Sequence, residues 1–114
     1  MRLHDQQVLF ARLLPGLIDQ AFLLGYEVVL GEVWRTPEQA ARNAESGIGI
    51  VNSLHCDRLA IDLILFRDGV WLQKSADYEP LGAWWERQDP LCRWGGRFTR
   101  PDGGHFSLER NGVK

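Results

Sequence analysis

The most informative segment of the chain is residues 53–66, which read Ser-Leu-His-Cys-Asp-Arg-Leu-Ala-Ile-Asp-Leu-Ile-Leu-Phe. The segment begins with polar groups and ends in an apolar run rich in β-branched residues, a pattern that predicts a buried strand. Asp62 interrupts this apolar run. Because an unpaired carboxylate is costly to bury, we expect Asp62 to be paired or to bind a cation. His55, earlier in the same segment, is a second side chain that can bind a metal.

Length and composition predict one domain, residues 1–114, and 45% of the residues are hydrophobic. The 13 basic and 15 acidic side chains give a net charge of −2, which offers no support for binding nucleic acid. Cys56 and Cys92 lie far apart in the sequence and form no disulfide framework. The N-terminal residues lack the apolar core of a signal peptide, and polar residues interrupt every apolar stretch. We therefore expect a monomer that is made in the cytoplasm and does not insert into a membrane.

Helical and strand patterns are mixed along the chain. Apolar residues recur at helical spacing over residues 5–24, with Asp5 as the expected N-cap, and Pro15-Gly16 predicts a kink or two consecutive helices. Asp68-Gly69 is typical of a tight hairpin turn. The other expected elements are a strand over 26–33, a helix starting at Thr36-Pro37, a loop over 46–52, a strand over 70–73, a helix over 80–87, glycine-rich loops around 95–104 and a strand over 105–109. This mixture predicts an α+β fold with a small, mainly antiparallel sheet flanked by helices.

Two of the three histidines, His55 and His105, lie in polar or glycine-rich surroundings beside predicted strands. With Asp62 they would supply two imidazoles and one carboxylate, which leave an open position on tetrahedral zinc, as in catalytic sites. Asp102 precedes His105 across Gly-Gly, where a carboxylate could take a proton from a metal-activated water. Each of these residues taken alone also has an ordinary interpretation, because a single histidine or strand aspartate is usually not a ligand. Asp102 lies in Pro101-Asp102-Gly103-Gly104, a sequence that is typical of a turn.

Several motifs occur in a fixed order along the chain: Trp34-Arg35-Thr36-Pro37-Glu38-Gln39, Ser53-x-His55-x6-Asp62, Trp94-Gly95-Gly96 and Asp102-x-x-His105-Phe106. Together they resemble the zinc D-Ala-D-Ala carboxypeptidase and endolysin family of peptidases. The chain is most similar to short phage and prophage members that cut L-alanyl-D-glutamate or related bonds in peptidoglycan stem peptides. The resemblance covers residues 26 to 109 and implies the fold shared by hedgehog domains and these DD-peptidases.

The resemblance implies a role for each matching residue. His55, Asp62 and His105 resemble the zinc ligands, and Asp102 matches the position of the catalytic carboxylate. Arg35 resembles an arginine that meets a substrate carboxylate or polarises the scissile carbonyl.

Further residues are expected to bind substrate or to support the site: Ser53, Trp94 and Gln39. Ser53 would give hydrogen-bonding support beside the metal, and Trp94 would help to shape the groove. Asp57 is an alternative ligand, ranked below Asp62 because an exposed aspartate beside Arg58 needs no metal to explain it. Many relatives have glycine where this chain has Arg58, so the turn after His55 is expected to differ from theirs.

The implied function is zinc-dependent hydrolysis of an amide bond in peptidoglycan stem peptides, as in an endolysin that cuts L-alanyl-D-glutamate bonds. Such an enzyme would stay in the cytoplasm until a separate pore-forming protein opened the membrane. A D-Ala-D-Ala carboxypeptidase or dipeptidase would use the same residues. A non-catalytic zinc-binding domain, such as a structural part of a phage, is the alternative of a different class.

Overall fold

The structure, a computed structural model, describes residues 1–47 and 53–114, and within these ranges it contains three α-helices and five β-strands. In chain order they are α1 (Leu3–Leu23), β1 (Glu27–Leu30), α2 (Pro37–Glu45), β2 (Ala60–Arg67), β3 (Val70–Trp71), α3 (Glu79–Glu86), β4 (Cys92–Trp94) and β5 (His105–Leu108). Short 3₁₀ helices at Ser75–Tyr78 and Gly95–Arg97 complete the connections. The predicted α+β fold with a small antiparallel sheet is confirmed.

The sheet is built around β2. Its strand order is β1-β2-β5-β4, β3 pairs with the far end of β2, and every described pairing is antiparallel. Asp62 of β2 lies directly opposite His105 of β5 in this register. The hairpin turn between β2 and β3 was predicted correctly, since Asp68 and Gly69 both have positive φ, 52° and 75°, as a two-residue hairpin turn requires.

One face of the sheet, which we call the helix-side face, carries the core. Successive strand residues point to opposite faces, and the buried positions of β2 that alternate on this face are Ile61, Leu63 and Leu65. The core continues through Phe106 to Trp85 of α3, with edge-to-face ring contacts at centroid distances of 6.5 Å to Phe106 and 6.0 Å to Phe10 of α1. The helices therefore give β2 and β5 a rigid backing.

The opposite face of the sheet, which we call the open face, carries the other residues of the strands. Asp62, Ile64 and Phe66 of β2 point to it, and the residues paired with them, His105 and Trp71, share it. The predicted metal ligands of β2 and β5 thus lie on the face away from α1 and α3.

Two expectations about α1 were wrong: the two-helix alternative at Pro15-Gly16 and the N-cap at Asp5. The helix is one unbroken element from Leu3 to Leu23, not two helices, because Pro15 is exposed and its missing N–H removes only one hydrogen bond of a long helix. The N-cap is Arg2, and Asp5 lies in the first turn, where its carboxylate accepts from the Arg2 guanidinium at 3.3 Å. An acidic side chain in the first turn interacts favourably with the helix dipole, so Asp5 is typical of a helix N-terminus although it is not the N-cap.

The strand predicted over 26–33 ends earlier, at Leu30, because its pairing with β2 becomes irregular. The Gly31 N–H donates to the Asp62 carbonyl at 2.8 Å, whereas the Asp62 N–H donates to the Glu32 carbonyl at 2.8 Å. Two residues therefore face one, which is the pattern of a β-bulge. A Cβ on Gly31 would lie 2.9 Å from the Asp62 carbonyl oxygen, so this close approach requires glycine.

Other element boundaries differ slightly from the prediction. The helix start at Thr36 is as predicted: its hydroxyl accepts from the Gln39 N–H at 3.0 Å, and Pro37 is the first helical residue. β4 was not predicted, since Cys92–Trp94 is too short to show strand periodicity. The loop predicted over 46–52 lies largely outside the described residues. No helix in the described part of the chain is both long and apolar enough to cross a membrane.

Candidate active site

The sheet register and one tight turn bring the three predicted metal ligands together. Asp62 and His105 face each other on neighbouring strands, and His55 reaches them from the turn before β2. Asp62 Oδ1 lies 3.3 Å from Nε2 of His55 and 3.7 Å from Nδ1 of His105. Among the described residues, these three form a group of potential metal ligands whose ligand atoms lie within 4.8 Å of one another.

The geometry and burial of this cluster fit a divalent cation such as zinc. Ligands placed about 2.0–2.1 Å from a tetrahedral zinc are roughly 3.3 Å apart, close to the distances from Asp62. His55 and His105 are buried, and Asp62 Oδ1 is buried with no hydrogen-bond partner among the described residues. The carboxylate oxygen and the two imidazole nitrogens that it faces are suitable metal ligands. A bound cation would also give the buried oxygen the partner that it lacks among the described residues.

The electrostatics of Asp62 keep it ionised. Burial by itself would raise the pKa of Asp62, but the imidazoles of His105 and His55 outweigh this effect and hold its pKa well below its ordinary value. The carboxylate is therefore in the form that binds metal across the neutral pH range.

Glu32 is a site residue that the sequence did not reveal. Its Oε1 accepts from Nε of Arg35 at 2.7 Å and pairs with Nη2 at 2.6 Å. The same oxygen lies 3.6 Å from Nδ1 of His55, the imidazole nitrogen that does not face Asp62. A carboxylate behind a metal-binding histidine orients the ring and fixes its tautomer. The only sequence signal was an acidic residue three positions before Arg35, which by itself is common.

Ser53 links the arginine to the metal-binding turn. Its hydroxyl accepts from Nη1 of Arg35 at 3.3 Å and from the His55 N–H at 3.2 Å. The Arg35 N–H also donates to the His55 carbonyl at 3.3 Å. Arg35 is therefore fixed at the corner between β1 and α2, with its guanidinium directed by Glu32 and Ser53.

Asp102 lies in the same cleft as the proposed ligands. The cleft has a volume of about 460 Å³, and the predicted site residues among its lining are Arg35, Ser53, His55, Asp62, Asp102 and His105. Burial raises the pKa of Asp102 above its ordinary value and the Asp62 carboxylate raises it further, although the two histidines and Arg35 act in the opposite direction. A cation bound at Asp62 would offset this repulsion.

The loop that carries Asp102 is held by its backbone. The Asp102 N–H donates to the Gly95 carbonyl at 2.9 Å, and the His105 N–H donates to the Asp102 carbonyl at 3.1 Å. A Cβ on Gly95 would collide with the Asp102 carbonyl, so the Trp94-Gly95-Gly96 motif is needed for this approach. Trp94 itself lies on the helix-side face, and its indole N–H donates to the Gly103 carbonyl at 2.7 Å. Trp94 therefore supports the loop from beneath and does not line the cleft.

Gln39 and Asp57 lie away from the cleft lining in the described part of the chain. The Gln39 side chain, on α2, donates to Asn43 at 2.7 Å and accepts from Arg42 at 2.9 Å. Asp57 lines a separate cavity beside Pro37. Its exclusion from the ligand cluster agrees with its lower rank as a ligand.

Arg58 adopts the conformation that glycine would favour. Its φ is 58°, and it follows the pattern of a Schellman turn: the Leu59 N–H donates to the Leu54 carbonyl at 3.0 Å and the Arg58 N–H to the His55 carbonyl at 3.3 Å. The Arg58 guanidinium lies 4.7 Å from the centre of the Trp34 ring, a cation–π contact that offsets part of the strain. The turn that presents His55 is therefore formed without glycine.

An α+β domain with two histidines, an aspartate and a nearby carboxylate in one cleft defines a candidate metallohydrolase. A sequence profile of the family described as D-alanyl-D-alanine carboxypeptidase matches residues 46–108, more than half of the chain. The chain therefore belongs to this peptidase family. The matched segment contains His55, Asp62, Asp102 and His105, whereas Arg35 lies before it.

The fold is also similar to a solved structure. The crystal structure of the Serratia marcescens L-Ala D-Glu endopeptidase ChiX matches with a TM-score of 0.68 and 22% sequence identity, over 82% of this chain and 75% of that chain. A search of curated proteins gave no match.

Substitutions of Arg58 should separate backbone strain from the contact with Trp34. Arg58→Ala removes the cation–π contact and keeps a side chain at positive φ, so it should lower the free energy of unfolding. Arg58→Gly relieves the strain, and we expect it to be more stable than Arg58→Ala by about 1 kcal/mol. Urea unfolding of the three proteins measures this difference. Equal stability of the Ala and Gly variants would show that the turn is not strained.

Proposed function

We propose that this chain is a zinc-dependent peptidase that hydrolyses an amide bond in the stem peptides of peptidoglycan. The observation that carries the proposal is the convergence of His55, Asp62 and His105 with Asp102 and Arg35 in one cleft. Membership of the D-alanyl-D-alanine carboxypeptidase family supports the reaction class, and the likeness to an L-Ala D-Glu endopeptidase supports the substrate.

In the proposed reaction His55, Asp62 and His105 would hold zinc, and Asp102 and Arg35 would act on the reactants. When bound, zinc would act as a Lewis acid that polarises the scissile carbonyl and lowers the pKa of a bound water towards ~7. Asp102 accepts the proton of the attacking water and returns it to the amine of the leaving peptide. Burial raises the pKa of Asp102, which makes its carboxylate a stronger base towards the proton of water.

Arg35 supplies positive charge where negative charge develops on the carbonyl oxygen. Its guanidinium is held on one side by Glu32 and on the other by Ser53, so little reorganisation is needed during the reaction. We assign Glu32 and Ser53 as supports of Arg35 and His55. Trp94 acts only through the Asp102 loop, and the proposal gives Gln39 no direct contact with substrate.

We propose an endopeptidase that cuts the L-alanyl-D-glutamate bond. A second cavity of about 300 Å³ shares Asp62 and Asp102 with the main cleft, so substrate can extend on both sides of the reacting bond. The alternative is a D-Ala-D-Ala carboxypeptidase, which the cationic groups Arg100 and Lys114 in the main cleft favour because they could bind a terminal carboxylate. The phage or prophage lysis role rests only on the resemblance to short phage members of the family and stays a prediction.

Digestion of purified peptidoglycan, followed by mass spectrometry of the products, tests the function and distinguishes these bonds. An endopeptidase releases peptides that begin with D-glutamate, whereas a carboxypeptidase releases single D-alanine. Addition of a chelator should stop the reaction, and zinc should restore it. Intact peptidoglycan after incubation with the zinc-loaded protein would leave a non-catalytic zinc-binding domain as the better reading.

The ligand set predicts the metal content of single variants. His55→Ala and His105→Ala should each lose stoichiometric zinc, because removing one of three protein ligands leaves too few to hold the ion. Asp57→Asn, next to the same turn, should keep it. Elemental analysis of the purified variants measures the zinc per chain. Full zinc occupancy in either histidine variant would contradict the ligand assignment.

The Asp102→Asn variant should keep zinc and lose at least ~100-fold in the rate of hydrolysis, because the amide cannot accept the proton of water. The change is nearly isosteric, so circular dichroism and zinc content should match those of the unchanged protein. The rate is measured with a synthetic stem peptide. Retained activity would exclude Asp102 as the base.

Glu32→Ala should weaken zinc binding about 10–100-fold, because His55 loses the carboxylate that orients its ring. Glu32→Gln keeps a hydrogen-bond acceptor but loses the charge, so its zinc affinity should lie between those of the unchanged protein and Glu32→Ala. Competition with a chromophoric chelator measures the affinity in the absence of any substrate. The matched control is Glu38→Ala, which removes an exposed acidic side chain on α2 and should leave the zinc affinity unchanged. An unaltered zinc affinity in Glu32→Ala would contradict this role.

A further inference from the structure

We propose that the open face of the sheet beyond Asp62 is a binding subsite for the amino-sugar ring that carries the stem peptide. The subsite consists of an apolar strip, Val29, Ile64, Phe66 and Trp71, with Trp71 as its main contact. This inference rests on the proposed function. It places the sugar ring of the substrate on the strip and the acidic peptide on the other side of the reacting bond.

The strand register places the whole strip on the face that carries Asp62. Val29 of β1 is paired with Ile64, and Trp71 of β3 is paired with Phe66. Paired residues of antiparallel strands share a face, and Ile64 and Phe66 follow Asp62 at intervals of two residues. The strip therefore begins beside the proposed metal site and runs along β2 towards β3.

The strip is partly exposed although the core lies directly behind it. Trp71 is 54% exposed and Val29 is 48% exposed, while Ile64 and Phe66 are half-buried. Leu65 and Leu72, whose side chains point to the opposite face, are packed in or against the core. An exposed aromatic ring beside half-buried aliphatic groups on a rigid sheet is typical of a binding surface.

The strip is continuous with the catalytic cleft. Trp71, Ile64 and Gln73 line the cavity of about 300 Å³ that shares Asp62 and Asp102 with the main cleft. The catalytic groups thus lie between two halves of one groove. Gln73, two residues after Trp71 and also in the lining of this cavity, adds an amide that can bond to a hydroxyl or acetamido group.

The two halves of the groove differ in charge. The half around the ligands carries Arg35, Arg100 and Lys114, which suit the carboxylates of an acidic peptide. Apart from Asp62 and Asp102, the described residues that line the second cavity carry no charged side chain. An uncharged group with an apolar face fits this second half. In a stem peptide joined to its glycan, that group is the sugar ring, because its lactyl carboxyl is taken up in the amide to L-alanine.

The dimensions agree with a cut close to the sugar. Trp71 is paired four residues along β2 from Asp62, a distance of roughly 13 Å. The lactyl group and one alanine span about 7 Å in extended form, so a cut at the L-alanyl-D-glutamate bond would begin the ring at Ile64, two residues from Asp62, and extend it towards Trp71.

Hydrolysis of two synthetic substrates tests the subsite: a stem peptide bearing N-acetylmuramic acid, and the same peptide with an acetyl group in its place. Trp71→Ala should reduce kcat/KM for the sugar-bearing substrate by roughly three- to tenfold and leave the acetylated peptide unaffected. Val70→Ala is the matched control, since Val70 is 63% exposed on the same hairpin but points to the opposite face. Equal losses for both substrates, or no loss for either, would overturn the proposal.

A binding measurement keeps the two proposals separable. N-acetylmuramoyl-L-alanine, titrated into the unchanged protein, should shift the NMR signal of the Trp71 indole N–H, whereas acetyl-L-alanine should not. This holds even if neither peptide is hydrolysed, in which case the proposed function fails and the subsite stands. An unshifted indole signal at millimolar ligand would refute the subsite while leaving hydrolysis possible. A sedimentation coefficient that differs between Trp71→Ala and the unchanged protein would instead assign the strip to a contact between copies of the chain.

Discussion

The pairing of Asp62 with His105 across β2 and β5 is the constraint on which the site depends. Residues directly opposite in an antiparallel pair have their Cβ atoms about 4.5–5.5 Å apart, so the sheet itself sets the separation of these two ligands. A one-residue shift of either strand would turn its own side chain, Asp62 or His105, to the helix-side face and separate the pair. Two of the three proposed metal ligands are therefore as rigid as the sheet, and only His55 depends on a turn.

The two faces of the sheet divide the work of folding and binding. The helix-side face buries aromatic and aliphatic groups against α1 and α3, which stabilises β2 and β5 without any contribution from the site. The open face can then hold a group that opposes folding when it is ionised, the carboxylate of Asp102, whose pKa is raised above its ordinary value. The bulge at Gly31 and Glu32 belongs to the same arrangement, since it turns an acidic side chain towards His55 at the end of β1.

The sequence identified the parts of the site whose chemistry is unusual for their surroundings. Asp62 stood out as a carboxylate in an apolar strand, and the spacing of the histidines agreed with a known family. Glu32 was missed, because its role comes from a bulge that only the pairing with β2 creates. β4 was missed because three residues show no period. The two-helix alternative at Pro15-Gly16 was wrong, since the packing of a long helix outweighs the loss of one hydrogen bond.

The charges of the site tie metal binding to the fold. Asp62, Asp102 and Glu32 carry three negative charges into one small region, and Arg35 is the cation bonded directly to one of them. Without a metal, burial and the repulsion from Asp62 raise the pKa of Asp102, so ionised Asp102 opposes folding, whereas His105 and His55 favour the ionised form of Asp62. A divalent cation at the proposed site would offset this repulsion and would bind the folded chain far better than the unfolded one. The proposal therefore requires a core that holds the proposed ligands in place before the metal binds, and two of them lie on the central strands of the sheet.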